Sequence, residues 1–575
     1  MIDIADRYAA YQETPEGAPS ETLAWNVYGK GIEAVGRNGR PEMVDVPHPA
    51  ADQLLIRVDA VGLCFSDIKL IRLGADHPKL YGRDLAHDPT RLGHETAVTV
   101  VEAGDDLAGR FRPGQRLAIQ PDIYVDGRST AYGYTIPGGL IGFHVIGPEV
   151  LAADDGAYVI PVDDRLGYAE TALTEPWACV EAAYTQRRRL VPAIGGRAWL
   201  VGRTGDDRPY QMGNALAGAR EIVLSGVRDD VVAEIRKQAE PGARIEVVDE
   251  ADVKGPFDDV ILLGPRSAEV VSRAADALDY RGVLNLVSDQ PLDGPVEIDI
   301  GRLHYHYTAY VGTSGLDVSA SYGAARNRAE LLSGGTAAFV GAAGPMGQMH
   351  LERALRMPNG PARLIGVDLD PERIASARAR LEPVAAANHR QLVMRVPGPG
   401  ESVATIVDAE TGGRGADDVV VTAPSAAAVV DAAGLMKPDG MLVLFAGVPV
   451  GTRAALDLTP IFMTGAQYTG TSGSRIADQE RVVEKTLSGQ LSPGRSLAAV
   501  GGIDAARDGL QAMIDGRFPG KIVIFPQLGG LPLTSLEDLA ESDPELGASL
   551  GDGGTWTREA EAILFARHWA PPAEP

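Results

Sequence analysis

Cysteine is nearly missing from this chain: Cys64 and Cys179 are the two among 575 residues. Two thiols cannot build a disulfide framework, and they exclude any zinc lobe that needs four cysteines. Basic residues are also in deficit, 53 against 78 acidic ones, for a formal net charge of −25. A nucleic-acid or anionic-membrane partner would require a basic face to displace counterions, so neither is expected. No run of about 18 apolar residues occurs, and the most apolar stretch, Met441 to Val450, has the length of a buried strand. The opening Met-Ile-Asp-Ile-Ala-Asp-Arg has neither a basic start nor an apolar segment, which argues against a signal peptide and makes a cytoplasmic location the expectation.

What is present reads as a globular protein of several domains. Hydrophobic residues make up 45% and charged residues 23%, ordinary values for a packed core. At about 150 residues per domain the length predicts three or four domains. Residues 1–22 are polar and read as an arm. From Leu23 to Val162, short alternating segments such as Leu54-Leu-Ile-Arg-Val, Thr96-Ala-Val-Thr-Val-Val and Arg116-Leu-Ala-Ile predict an all-β, barrel-like unit. Tyr168 to Gln186 reads as a helix. Residues 527–575 form an acidic extension with two expected helices, around Ser535 to Glu541 and Thr557 to His568.

Between these lie two stretches that match each other. Asp258-Asp-Val-Ile-Leu-Leu-Gly-Pro265 corresponds to Asp417-Asp-Val-Val-Val-Thr-Ala-Pro424, and Gly312-Thr-Ser-Gly315 corresponds to Gly470-Thr-Ser-Gly473 at nearly the same offset. Two anchors holding one spacing point to duplication of a whole unit. Each copy alternates apolar strands with helices, the pattern of a doubly wound parallel sheet.

The second copy carries a dinucleotide turn. Strand Thr336 to Val340 runs into Gly341-Ala-Ala-Gly344-Pro345-Met346-Gly347 and then a helix, so glycines tighten the turn and helix amides can face a pyrophosphate. Asp368 ends the next strand, where an acid holds the adenosine ribose hydroxyls and disfavours a 2′-phosphate, so NAD is expected over NADP. Arg373, five residues on, is a further candidate at that end of the cofactor. The first copy continues from Gly202 into Arg203-Thr-Gly205-Asp206-Asp207-Arg-Pro209, placing two carboxylates where phosphate would lie, and has Gly226 at the acid's position. It is expected to be a copy of the fold without NAD.

Three further segments read together as one metal site: Cys64-Phe65-Ser66-Asp67, Gly93-His94-Glu95 and Glu175-Pro176. Singly each has an ordinary reading, as a buried thiol, a strand end or a helix start. Jointly they make the mixed sulfur, nitrogen and oxygen donor set of a catalytic zinc with one position open.

These segments resemble the zinc-dependent medium-chain dehydrogenases, and within them the branch of sorbitol and threonine dehydrogenases and sorbose-1-phosphate reductases. The resemblance spans roughly residues 23–190 and 334–526. Joined to the internal repeat and the acidic tail, which lie outside its span, it implies an α/β chain with a GroES-like β-barrel catalytic domain (1–194), two tandem Rossmann-like doubly wound domains (195–332, degenerate; 333–473, binding NAD), a return to the catalytic domain (474–526) and a C-terminal helical extension (527–575). It implies one catalytic zinc held by Cys64, His94 and either Glu95 or Glu175, without the four-cysteine lobe of many relatives; the region 121–145 holds turns instead.

The implied reaction interconverts a secondary alcohol of a polyol, sugar or sugar phosphate with its ketone, by hydride transfer between a zinc-bound alkoxide and NAD. Ser66 would pass the alcohol proton, Asp67 would orient a ligand, and Lys69 stands where many relatives end the proton relay with His. Arg72, Lys79 and Arg83, in the loop after Cys64, are candidates for holding a phosphate, or equally ordinary surface charge. His77, His87, His304 and His306 read as packing or surface residues, and Arg187-Arg-Arg189 as a solvated helix end. The rival reading is a non-enzymatic dinucleotide-binding scaffold with a vestigial zinc site. A homo-oligomer is compatible with either.

Overall fold

The long apolar segment Leu54–Leu63 is buried along its whole length, as the central strand of an eight-stranded sheet. Around it lie Glu95–Ala103, Arg116–Ile119, Val159–Pro161 and Phe143–Ile146, all from the first part of the chain. On its other edge it pairs antiparallel with Lys521–Phe525, which pairs in turn with Leu497–Gly502. The chain thus returns after its two internal units to complete the sheet that it began. The computed structural model describes residues 4–13, 18–323, 327–471 and 473–570; Ser472, in the second Gly-Thr-Ser-Gly match, and residues 571–575 of the extension lie outside them.

The two internal units are six-stranded parallel sheets of identical strand order. The first runs Arg244–Val247, Glu221–Ser225, Arg197–Gly202, Phe257–Leu263, Leu278–Val287, Ala309–Thr313. The second runs Gln391–Arg395, Arg363–Val367, Thr336–Val340, Ala416–Val421, Met436–Leu444, Gln467–Gly470. The likeness extends to irregularities: each register slips at the same place, between Phe257 and Asp259 in one and between Ala416 and Asp418 in the other. Both are doubly wound Rossmann-like sheets, so the protein is an α/β chain with a GroES-like domain and two such units in tandem.

The two copies face each other around a pseudo-two-fold axis. Val296–Asp299 of the first pairs antiparallel with Arg453–Leu456 of the second, Val296 opposite Leu456 and Asp299 opposite Arg453. Each strand occupies the same place in its own unit, so this is the self-complementary contact that two identical subunits make. One apolar core spans the contact, with Leu284, Leu303 and Tyr310 from the first copy beside Leu442, Phe462 and Tyr468 from the second. At its centre a Cβ on Gly312 would stand 2.6 Å from Phe462 Cβ, a closeness that requires glycine.

The chain ends are more structured than an arm and a tail. Ile4–Gln12 is a helix whose Tyr8 and Tyr11 are buried against Tyr168 and Phe565. Among its described residues the extension holds three helices: Leu536–Ser542, Pro544–Ser549 and Arg558–His568. The additional one starts at Asp543-Pro544, an Asp cap followed by Pro in the first turn. Buried Glu561 accepts from the Tyr168 and Ala169 amides at 2.6 and 2.8 Å, capping the long helix Tyr168–Ala183 from outside.

The run Arg187-Arg-Arg189 is no solvated helix end. Arg187 pairs with Asp478, Arg188 is buried and donates to the Tyr468 carbonyl at 2.6 Å, and Arg189 pairs with Asp259 at 2.9 Å. At the junction between domains Arg187 and Arg189 thus neutralise buried carboxylates, and Arg188 ties a strand carbonyl.

Candidate metal centre and cofactor cleft

Cys64 caps the short helix Phe65–Leu73, and Asp67, in the first turn, accepts the Cys64 amide at 2.8 Å. The same carboxylate lies 3.3 Å from His94 Nδ1, at ion-pair distance though without hydrogen-bond alignment. His94 follows Gly93, where both the φ of 93° and the closeness of Val61 and the Leu140 amide to any Cβ require glycine. Glu95 opens strand Glu95–Ala103 opposite Gly62, where a Cβ would come within 2.1 Å of the Glu95 carboxylate. Gly62 is therefore the space that Glu95 occupies.

The structure brings Cys64, His94 and Glu95 together: one donor atom from each lies within 4.8 Å of the others. Glu175, also buried, lies outside this group, with the Cys179 thiol directed at its carboxylate from 3.6 Å one helical turn on. Burial pushes its carboxyl up from the usual range, against the pull of His94. Ser66 Oγ stands 3.7 Å from Cys64 Sγ.

Lys521 is the residue that motif reading missed. Its ammonium is buried, 2.5 Å from Glu95 Oε1 and 2.7 Å from the Leu63 carbonyl. Burial opposes its charge, but Glu95 and Cys64 overcome this and raise its pKa. Glu95 Oε2 remains buried with no hydrogen-bond partner. At His94, burial likewise opposes protonation, and Asp67 outweighs it. A thiol, an imidazole and a carboxylate oxygen with an open coordination need fit a zinc ion well.

In the second copy, Gly341 has φ 81° and closes the strand end, held by the Thr422 hydroxyl that donates to its carbonyl at 2.8 Å. Gly344 caps helix Pro345–Arg356 without any side-chain hydrogen bond, leaving that terminus open to an anion. Gly347 packs so closely that a Cβ would stand 2.4 Å from the Gly341 carbonyl oxygen. Met346 is partly buried beside it. Asp368 accepts the Ala343 amide at 3.0 Å through one oxygen and the Leu369 amide at 2.8 Å through the other. Arg373 is turned to Asp370, at 3.5 Å, and to the Gly516 carbonyl, at 3.3 Å.

The first copy keeps Gly202 and Gly205 but departs in more than its turn carboxylates and the missing acid. Between strands Arg197–Gly202 and Glu221–Ser225 there is no helix at all, only turns. Asp206, buried, accepts the Tyr210 hydroxyl at 2.5 Å, and Arg203 donates to the Gly264 carbonyl at 2.7 Å. These side chains, with Gly226 and Arg228, leave a cavity of about 10 Å³ at the strand ends. A ligand pocket needs several hundred Å³.

Of the three cations that read as phosphate holders or as ordinary surface charge, Arg83 is taken up by Asp88 at 2.7 Å and by the Thr135 and Pro89 carbonyls, and Lys79 by Asp122 at 3.2 Å. Arg72 lies over the Phe65 ring. His77 is buried on Tyr134, its pKa lowered to about 4 by burial and by Lys69 and Lys79.

Residues 50–181 match the alcohol dehydrogenase GroES-like domain. Over nearly its full length the chain is similar to a mannitol-1-phosphate 5-dehydrogenase of Aliivibrio fischeri, with 24% identity covering 91% of this chain and 93% of that one. It is similar to an L-sorbose 1-phosphate reductase of Klebsiella pneumoniae at 23% identity, over 95% and 97% of the two chains. In fold it resembles a 2R,3R-butanediol dehydrogenase of Bacillus subtilis, with a TM-score of 0.51 and 16% identity over 88% of this chain and 99% of that one. The GroES-like match and these likenesses along the chain are thus to dehydrogenases and reductases of the alcohol and polyol type.

Proposed function

We propose that the protein is a zinc- and NAD-dependent oxidoreductase that interconverts a secondary alcohol of a polyol, sugar or sugar phosphate with its ketone. The convergence of Cys64, His94 and Glu95, with Glu95 Oε2 buried and unpartnered, carries this reading. These three residues would hold the zinc, with Glu175 as a second carboxylate within the same buried region. Bound there, the ion acidifies an alcohol and polarises a carbonyl.

The chain's own groups do the rest. Asp67 ties the Cys64 amide and faces His94, so the two donors keep one relative position. Lys521 holds one Glu95 oxygen and leaves the other free. Ser66, beside Cys64 in the first helical turn, offers a hydroxyl to receive the proton that the alcohol gives up. Gly341, Gly344, Pro345, Met346 and Gly347 would receive the pyrophosphate of NAD, and Asp368 its ribose hydroxyls, with NADP disfavoured by the same carboxylate.

Two relatives matched end to end are named for phosphate esters of a hexitol and of a ketohexose, which makes such esters the first substrates to try. The test is metal analysis of the purified protein beside a Cys64→Ala variant, together with NADH formation or consumption over a panel of polyols, ketoses and their phosphates. One zinc per chain and turnover, both lost in the variant, are expected. Absence of stoichiometric zinc and of any turnover would favour a dinucleotide-binding scaffold instead.

A further inference from the structure

The copy without a cofactor turn reaches into the cleft of the copy that has one. Its helix Ile300–Tyr305 rests on the loop that follows strand Met436–Leu444, at the C-terminal edge of the second sheet, where doubly wound folds bind ligands. Three contacts fix it there. His304 Nδ1 lies 3.3 Å from the Leu444 carbonyl, Asp299 accepts the Gly451 amide at 2.8 Å, and a Cβ on Gly447 would stand 2.9 Å from the Tyr305 hydroxyl. Across the cleft, Lys69 of the helix that begins at Cys64 places its ammonium 5.8 Å from the centre of the Tyr305 ring.

Lys69 differs from the cations around it. Arg83 and Lys79 are held by carboxylates and carbonyls, and Arg72 covers Phe65. Lys69 is exposed, and among the described residues no carboxylate lies within 4.0 Å of its ammonium. In a chain with 78 acidic and 53 basic residues, an ammonium with no counter-ion, beside a Lys79 already neutralised by Asp122, leaves a local positive charge unmatched. Its position is suitable too. Five residues beyond Cys64 on a helix is ~7 Å along the axis, a span that a phosphorylated hexose bridges while its carbonyl lies at the metal centre.

We infer that Lys69 and Tyr305 together receive the phosphate group of a polyol or ketose phosphate, Lys69 supplying charge and Tyr305 a hydroxyl donor. The degenerate copy would then contribute a substrate-specificity residue to its neighbour. This rests on the reading of the site as an oxidoreductase for such substrates, but it is tested by binding rather than turnover.

The experiment is calorimetric titration of the NAD-loaded full chain with L-sorbose 1-phosphate and with L-sorbose. The wild type should bind the ester at least about tenfold more tightly, the scale of one charge-assisted contact. Lys69→Met should reduce that preference to within about threefold, Lys69→Arg should keep it, and Tyr305→Phe should fall between. A wild type without preference, a Lys69→Met protein that retains it, or a Tyr305→Phe protein indistinguishable from wild type would overturn the inference. Preference lost with Lys69 in a protein that turns over no substrate would uphold the subsite and sink the oxidoreductase reading instead.

Discussion

Arg328 pairs with the buried carboxylate of Asp418 at the entrance to the second sheet, while its other guanidinium nitrogen donates to the Asp417 carbonyl at 2.9 Å. Asp418 in turn accepts the Leu332 amide at 2.7 Å, and Asp417 the Thr336 amide at 2.8 Å. The first copy repeats every bond: Arg189 to Asp259 and to the Asp258 carbonyl, the Ala193 amide to Asp259 at 2.9 Å, the Arg197 amide to Asp258 at 2.8 Å. A latch reproduced donor for donor is stronger evidence of duplication than the matched residues themselves.

Arg189→Met and Arg328→Met should each cost about 3 kcal/mol, because each leaves a buried carboxylate without its cation. Their effects on cofactor should differ. The strand of Asp418 ends at Val421, and Thr422, the next residue, holds Gly341, so Arg328→Met should also weaken NAD binding while Arg189→Met leaves it unchanged. Thermal melting and NAD titration of the two variants check this, and equal loss of NAD affinity would refute assignment of the cofactor to the second copy.

Asp368→Asn keeps an acceptor for the Ala343 amide but removes the charge. The ratio of kcat/KM for NAD over NADP should fall at least about tenfold, as expected when repulsion of a 2′-phosphate is relieved. Steady-state kinetics with both cofactors decide it.

Asp67→Asn should lower zinc affinity about 10- to 100-fold, the usual effect of removing a carboxylate that orients metal ligands. Competition against a chelator measures it. Unchanged affinity would leave Asp67 as a helix cap alone.

Glu170 gives a pH signature. Burial raises its carboxyl to about 7 from 4.5, the Gly167 and Gly494 amides oppose this, and Glu561 and Glu559 add to it. The folded protein therefore binds the proton more tightly than the unfolded chain. The resulting stability is complete below pH ~4.5 and is lost as pH rises through ~7. Glu170→Gln should match wild type near pH 5 and be more stable at pH 8, by about 3 kcal/mol at most. Melting curves of both proteins across that range provide the check, and parallel curves would be the contrary result.

The residues that converge on the candidate metal site were legible where a local motif carried them. Cys64, Asp67, His94 and Glu95 sit in two short segments whose backbone course follows from glycine, a cap and a strand start. Lys521 was not legible, because its partner Glu95 is 426 residues away in the chain. Glu175 was legible as a candidate, yet its place beside Cys179 rather than among the other donors depends on the rotation of a buried helix, which pattern does not resolve. The first copy's turn carboxylates, Asp206 and Asp207, and the glycine at the acid's position, Gly226, could be read directly. The missing helix between Gly202 and Glu221 could not, since a turn-rich segment of that length fits either form. The three arginines of 187–189 looked solvent-bound because their partners, Asp478, the Tyr468 carbonyl and Asp259, are distant in the chain.

The pairing of Val296–Asp299 with Arg453–Leu456 has a consequence for dilution. Two separate subunits joined by such a contact fall apart as concentration drops, and a site that borrows a residue across it would fail with them. Here the borrowed side lies on the same chain, so the pair has no dissociation constant and its effective concentration is set by covalent linkage. Specific activity should therefore be constant from micromolar to picomolar protein.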